Sequence, residues 1–153
     1  SVNQDGRTSG ISAPNSQSQM ACIRAAMKQA GLTPDDIDYI EAHGTGTPLN
    51  DASETRAVKA AFGDHAYKLS LSSPKSMVGH LLGGAGAVGA LAAVLAVHND
   101  IVPPTINLEN PDPECDLDYT PLKARSREVR AAAANGFGFG GQNGSVIFRK
   151  YKG

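Results

Sequence analysis

Apolar positions along this chain recur at two periods, and the places where one period gives way to the other mark its elements. From Ser18, Ile23, Ala26, Met27 and Ala30 fall at helical spacing, and Gly31 supplies a C-terminal stop. After the turn Leu32-Thr33-Pro34-Asp35-Asp36, the run Ile37-Asp38-Tyr39-Ile40 alternates as a short buried strand does. A second helix is expected from about Ala52 to Phe62, opened by Asp51 as its cap and closed at Gly63. Leu69-Ser70-Leu71-Ser72-Ser73 reads as a strand stopped by Pro74. Residues 81–97 contain no charge and no hydrogen-bonding side chain. The run falls short of about 18 residues and is rich in Gly and Ala, which favours a helix buried within protein over a membrane span. Beyond it, Pro103, Pro104, Pro111, Pro113 and Pro121 impose an irregular path. Ala131–Asn135 and Ser145–Arg149 then read as two strands joined by a glycine loop. Residues 1–19, polar and broken by Gly6, Gly10 and Pro14, read as loop. Strands and helices mostly alternate, so the expected class is α/β.

Composition narrows the picture mainly by exclusion. A chain of 153 residues suits one domain with a real core. Its net charge of -1, without a long run of either sign, gives no footing for nucleic acid or an anionic membrane. Aromatics are scarce and Trp is absent, which argues against a base-stacking surface. Cys22 and Cys115 lie far apart without CxxC spacing, so neither a disulfide framework nor a zinc site is indicated. The polar N-terminus has no signal peptide and no Met, as expected of a fragment or processed chain, and reduced cytoplasm is the expected compartment.

Candidate chemistry gathers in two segments. His43-Gly44-Thr45-Gly46-Thr47, followed by Asp51, leaves the strand at 37–40 and enters a glycine-rich loop where backbone can approach a ligand. Lys75-Ser76-Met77-Val78-Gly79-His80 places an ammonium and an imidazole just before the apolar helix, near its N-terminal end. Two imidazoles, one ammonium and several hydroxyls at element ends have the make-up of an active site. The His43 loop also suits a phosphate cradle, but no GxxxxGK[ST] accompanies it, and no HExxH or GxSxG pattern occurs. His65 and His98, at helix ends, read as surface residues. Gly136-Phe137-Gly138-Phe139-Gly140-Gly141 formally matches GxGxxG, yet a strand-like run follows where a dinucleotide loop requires a helix. Two readings of it stay open: a plain tight hairpin, or a flexible turn with bare N–H groups toward a substrate and two phenyl rings closing an apolar channel.

These residues resemble those of the β-ketoacyl synthases, the condensing enzymes of fatty acid and polyketide assembly, over their C-terminal half. The matching runs are Glu41 to Pro48, Ser73 to Gly83, Val102 to Asn107 and Asn135 to Asn143, in the family's order and across nearly all of residues 1–153. The opening Val2 to Gly6 and Ala13-Pro14-Asn15 resemble modular polyketide synthases; from Gly31 onward, and through Asn110 to Tyr119, the likeness is to stand-alone fatty acid elongation enzymes. The resemblance implies half of a thiolase-like fold, a mixed sheet with a buried Gly/Ala-rich helix. It implies a Cys-His-His site in which a cysteine takes the acyl group and a malonyl thioester is decarboxylated to an enolate. Two neutral imidazoles donating N–H would stabilise that enolate, and burial beside an apolar helix would keep both uncharged. By matching motif His43 and His80 take these roles with Lys75 beside them, and Thr45 and Thr47 bond the pantetheine arm. Phe137 N–H serves the oxyanion hole and Phe139 gates the acyl pocket, with Gly138, Gly140 and Gly141 giving the loop its freedom. No intrinsic cofactor is implied, the phosphopantetheine arm of an acyl carrier protein being the substrate carrier. Implied partners are the N-terminal ketosynthase half, the carrier protein and a second subunit in a homodimer, without nucleic acid or membrane.

Three departures qualify the match. The nucleophilic cysteine belongs to the N-terminal half, and Cys22, inside an amphipathic helix, reads as a core residue. The fatty acid enzymes carry a glutamate nine residues after the second histidine as partner to the lysine; here that position is Gly89, leaving Asp51 or Glu54 as substitutes, or Lys75 in a mainly structural role. The loop reads Gly140-Gly141-Gln142-Asn143 where Gly-Gly-Thr-Asn is usual. The two function classes are therefore an enzyme half completed by the cysteine-bearing part, and a non-catalytic pantetheine- or carrier-binding or structural module.

Overall fold

The computed structural model describes residues 1–4 and 13–151. A five-stranded mixed sheet has helices on both faces, as the alternation of elements predicts. Its members are β1 (Val2–Gln4), β2 (Tyr39–Glu41), β3 (Ser70–Ser72) and the long hairpin pair discussed below. The helices are α1 (Ser16–Ala30), α2 (Pro48–Phe62), the single turn α3 (Lys75–Val78) and α4 (Ala85–Asn99). A separate two-stranded ribbon pairs β4 (Ile101–Val102) with β5 (Arg125–Ser126) inside the proline-rich path, where no strand is expected from the sequence. The hairpin is formed by β6 (Ala131–Phe137) and β7 (Gln142–Arg149). Strand order is β1-β7-β6-β2-β3, with β6, β2 and β3 parallel and β7 antiparallel to both its neighbours.

Alternation along the central strands sorts the core into two layers. Ile40, Ala131 and Ala133 pack with Ile23 and Met27 of α1 and Val58 and Phe62 of α2. Tyr39, Ala132 and Ala134 face the other way, onto Ala93, Ala96 and Val97 of α4. Small residues on both partners let α4 lie close against the sheet. α1 ends as expected at Gly31, whose left-handed φ of 65° lets its N–H reach the last-turn carbonyls.

Four expectations change. The segment 1–19 is not all loop: Val2–Gln4 pairs with β7, and α1 begins at Ser16 with Asn15 accepting from Gln17 N–H. Gly6 and Gly10, and the Asp5-Gly6 part of the opening motif, lie outside the described residues. α2 starts a turn early, because Pro48 has the right fixed φ for the first helical position; Asp51 is therefore inside the first turn rather than the cap, which is Thr47. His65 is no surface residue: its Nε2 bonds Ile37 O at 2.9 Å and its Nδ1 lies 3.0 Å from Asp35. His98 is exposed, as read. Most consequentially, α4 is buried on one face only. Gly89, Ala93, Ala96 and Val97 turn inward, while Leu91, Val94 and Leu95 remain exposed. The stretch Leu82–Asn99 is long and apolar enough, by length and composition, to cross a membrane.

Candidate active site

The parallel strands β2 and β3 both end at the same edge of the sheet, and each leads directly into one of the two sequence segments singled out above. β2 delivers His43 and its glycine loop; β3 runs through Ser73 and Pro74 into α3 and His80. Ser73 Oγ donates to Gly44 O at 2.7 Å, tying the segments together. Gly44 is required there twice over. Its φ is +39°, and a Cβ would lie 2.6 Å from Ser73 Cβ and 2.8 Å from Ser73 Oγ.

The loop is anchored from below by a residue not assigned to it from the sequence. His43 N–H donates to Glu54 Oε1 at 2.9 Å and Gly44 N–H to Glu54 Oε2 at 3.0 Å. Asn135 Nδ2 adds a longer bond of 3.4 Å. Glu54 is wholly buried, and burial pushes its carboxyl up while the two backbone N–H groups pull it down. Its signal in the sequence was a charge on the inward stripe that continues through Ala57, Val58, Ala61 and Phe62. Glu54 and Asp51 are thus both occupied with the loop, Asp51 Oδ1 accepting from Gly46 N–H at 3.3 Å, and neither is the partner of Lys75.

The two imidazoles meet. Their ring centroids are 5.7 Å apart and nearly perpendicular, and Phe137 closes on His43 from the hairpin with centroids 5.9 Å apart. His43 is 9% exposed, and burial, reinforced by the charges of Lys75 and His80, lowers its pKa to about 4. It is neutral at physiological pH. His80 differs from expectation in being exposed. Its Nδ1 accepts from Leu82 N–H at 3.0 Å, which places the proton of the neutral ring on Nε2.

Together these groups wall a cleft of about 710 Å³. Of the residues singled out from the sequence, it brings together His43, His80, Lys75, Thr45, Thr47, Phe137, Gly138, Phe139 and Gly141; Gly140 is not in its wall. Thr45 and Thr47 share a hydroxyl hydrogen bond of 2.8 Å at its rim. The glycine segment is a hairpin connection, not a dinucleotide loop, and its two rings part company. Phe137 is buried, whereas Phe139 is 69% exposed at the tip. Among the tip glycines only Gly140 and Gly141 adopt positive φ (75° and 74°); Gly138, at -91°, does not.

No cysteine joins the site. Cys22 is buried in α1 with its thiol directed to Ser1 O and Asn143 O, and burial pushes it up. Burial likewise raises Cys115. Among the described residues no cluster of His, Cys, Asp or Glu could hold a metal ion.

Comparison with known proteins decides the family. The family described as "Beta-ketoacyl synthase, C-terminal domain" matches residues 1–109. This chain belongs to the β-ketoacyl synthases. It is 55% identical over 139 residues, 91% of its length, to 3-oxoacyl-[acyl-carrier-protein] synthase 2 of Synechocystis, of which it covers 33%. Among solved structures, the ishigamide ketosynthase/chain length factor superposes with a TM-score of 0.93 at 38% identity, over 99% of this chain and 36% of that one. A type II polyketide ketosynthase bound to its acyl-carrier protein superposes with a TM-score of 0.92 at 33% identity, over 99% and 37%. The fold is thus the thiolase-like ketosynthase fold, and this ketosynthase chain spans about a third of the length of those relatives.

Proposed function

We propose that this chain is the part of a β-ketoacyl-[acyl-carrier-protein] synthase that decarboxylates the extender unit, completed by a cysteine-bearing N-terminal part. The observation that carries this reading is the facing pair His43 and His80 on one cleft wall. Loss of CO₂ from a malonyl thioester moves its electron pair onto the thioester oxygen. Preorganised N–H donors aimed at that oxygen lower the barrier most when they need no rearrangement. His43, held neutral by burial, can donate without competing as a cation. His80, its Nδ1 accepting from the Leu82 N–H, has Nε2–H free to donate. The enolate carbon then attacks the acyl thioester on the partner part's cysteine, forming the carbon–carbon bond and releasing the cysteine thiolate. Thr45 and Thr47 at the rim suit the amides of a pantetheine arm, Phe137 N–H the oxyanion of acyl transfer, and Phe139 the mouth of the acyl pocket. The neighbour bound to its acyl-carrier protein supports a carrier-delivered substrate.

The test uses the assembled enzyme. His43→Ala and His80→Ala are each expected to lower malonyl decarboxylation by about 10²–10³. Unchanged turnover in both variants would remove the two histidines from the mechanism, and an assembled wild type that binds the carrier without decarboxylating would favour a non-catalytic carrier-binding module.

A further inference from the structure

The inward stripe of α1 runs through Gln19, Cys22, Ile23, Ala26 and Met27, and its first member differs from the rest. Gln19 is wholly buried, yet it carries a primary amide where a core-facing position calls for an apolar side chain. Its backbone is served, since Gln19 N–H donates to Asn15 O at 3.0 Å. Its side chain is served at one end only. Ser53 Oγ, from α2, donates to Gln19 Oε1 at 3.0 Å and so fixes which way the amide faces. Nε2, with two hydrogens to give, meets no acceptor among the described residues.

That bare nitrogen belongs to the cleft. Gln19 is part of its wall, together with three other buried amides, Asn50, Asn135 and Asn143. Each of those places its nitrogen on an acceptor: Asn50 on Asp51 Oδ1 at 3.0 Å, Asn135 on Glu54 Oε1 at 3.4 Å, and Asn143 on Asn3 Oδ1 at 2.9 Å. A buried donor left unpaired costs more than a typical hydrogen bond gains. The Gln19 amide is shut off from bulk water, so its acceptor has to arrive with a molecule that enters the cleft and shifts the wall. A saturated acyl chain has no acceptor to offer, whereas the carbonyl oxygen of an amide or an oxo group has two lone pairs.

We propose that Gln19 is a substrate-binding residue of this cleft, its Nε2–H donating to a carbonyl oxygen of the carrier-borne substrate. The proposal deepens the condensing reading above and rests on it. Such an oxygen has two sources in that substrate: an amide of the pantetheine arm, or an oxo group on the acyl chain.

The test compares acyl donors in the assembled enzyme with its cysteine-bearing part. Hexanoyl-carrier has the arm alone, β-oxohexanoyl-carrier has the arm and an oxo group, and S-ethyl hexanethioate has neither. Gln19→Met keeps the side chain's length and removes the amide. If the arm supplies the oxygen, kcat/KM of the variant is expected to fall about tenfold on both carrier donors relative to the ethyl thioester. If the chain supplies it, the same loss is expected on β-oxohexanoyl-carrier relative to hexanoyl-carrier. Ser53→Ala keeps the amide but frees it to turn, and should lose a smaller part of the same discrimination. An amide that serves only packing, or only a trapped water, would lower all three donors alike or not at all, and either result would overturn the proposal. Should Gln19→Met fail to fold, wild-type ratios among the three donors in Ser53→Ala would overturn it as well. Wild-type enzyme that condenses none of the donors would instead count against the condensing function itself.

Discussion

His43 and Glu54 are joined through the backbone of one and the side chain of the other: the His43 N–H donates to Glu54 Oε1 at 2.9 Å, at the floor of the cleft. Glu54 is fixed on α2, so the helix sets the height and direction at which the chain leaves β2. Its second oxygen takes Gly44 N–H, and a single buried carboxylate thereby holds two consecutive peptides. The imidazole's place in the cleft is decided by a residue eleven positions away that does not itself line the cleft.

Removing that anchor should be expensive. Glu54→Ala leaves two N–H groups without their acceptor, one of them fully inside, at about 1–3 kcal/mol each. Glu54→Gln keeps one acceptor oxygen and is expected to lose less. Urea unfolding of the assembled enzyme measures the order, wild type above Gln above Ala. Equal midpoints for all three would mean that Ser73 and Asp51 hold the loop without Glu54.

Titration of His43 and Glu41 works in opposite directions. His43 falls from the ordinary 6.5 to about 4, so between those values the unfolded chain binds the extra proton and stability rises with pH. Glu41 rises from the ordinary 4.5 to about 8, so between those values the native state holds the extra proton and stability falls as pH rises. His43→Asn should flatten the acid limb below pH 6.5, and Glu41→Gln the decline toward pH 8. Histidine-resolved NMR provides a direct check. A His43 midpoint near 6.5 instead of 4 would contradict the buried, neutral imidazole.

Glycine replacements should separate by φ. Gly140→Ala must hold a side chain at a φ of 75°, which costs about 1 kcal/mol or more, while Gly138→Ala at -91° makes only ordinary contact with Gln142, its O at 3.6 Å and its Cβ at 4.0 Å. Gly44→Ala is expected to be the worst of the three, because strain and overlap with Ser73 combine. Pairing it with Ser73→Gly removes the overlap and should recover part of the loss in thermal midpoint. Gly138→Ala as damaging as Gly140→Ala would point to loop motion, with φ no longer the deciding quantity.

Much of this was legible in the residues, for identifiable reasons. Gly31, Gly63 and Pro74 punctuate the chain strongly, so α1, α2 and β3 end where expected. The strand after Asn135 excluded a dinucleotide loop. What escaped reading depends on the third dimension. Asp51 and Glu54 both looked able to serve Lys75, yet both bond the loop after β2, and period alone does not say what lies opposite a helix face. His65 looked like a surface residue because its partners, Ile37 O and Asp35, come from an earlier turn. Burial of both site histidines followed from the apolar run at 81–97, but only His43 lies inside. The run covers one side of the sheet and leaves its own outer face open.

That open face carries the last prediction. Leu91, Val94 and Leu95 are 56%, 40% and 49% exposed, and Leu81 and Leu82, just before α4, are 48% and 70% exposed. A contiguous apolar patch of more than a few hundred Å² is seldom left uncovered on a soluble protein. A membrane span would need lipid around the helix, yet Ala93, Ala96 and Val97 are already committed to the sheet. Protein is the cover this geometry suits, as the ketosynthase relatives' further two thirds would allow. Purified without other ketosynthase parts, the chain is expected to self-associate in sedimentation, and Leu91→Lys with Leu95→Lys to reduce that association. Coexpression with the N-terminal part should replace it with a discrete complex. Because both thiols are raised by burial, a radiolabelled acyl-carrier assay on the chain alone should show no transfer to Cys22 or Cys115. Flotation with phospholipid vesicles would move the helix into a membrane, and a stable monomer that acylates itself would remove the need for any covering partner.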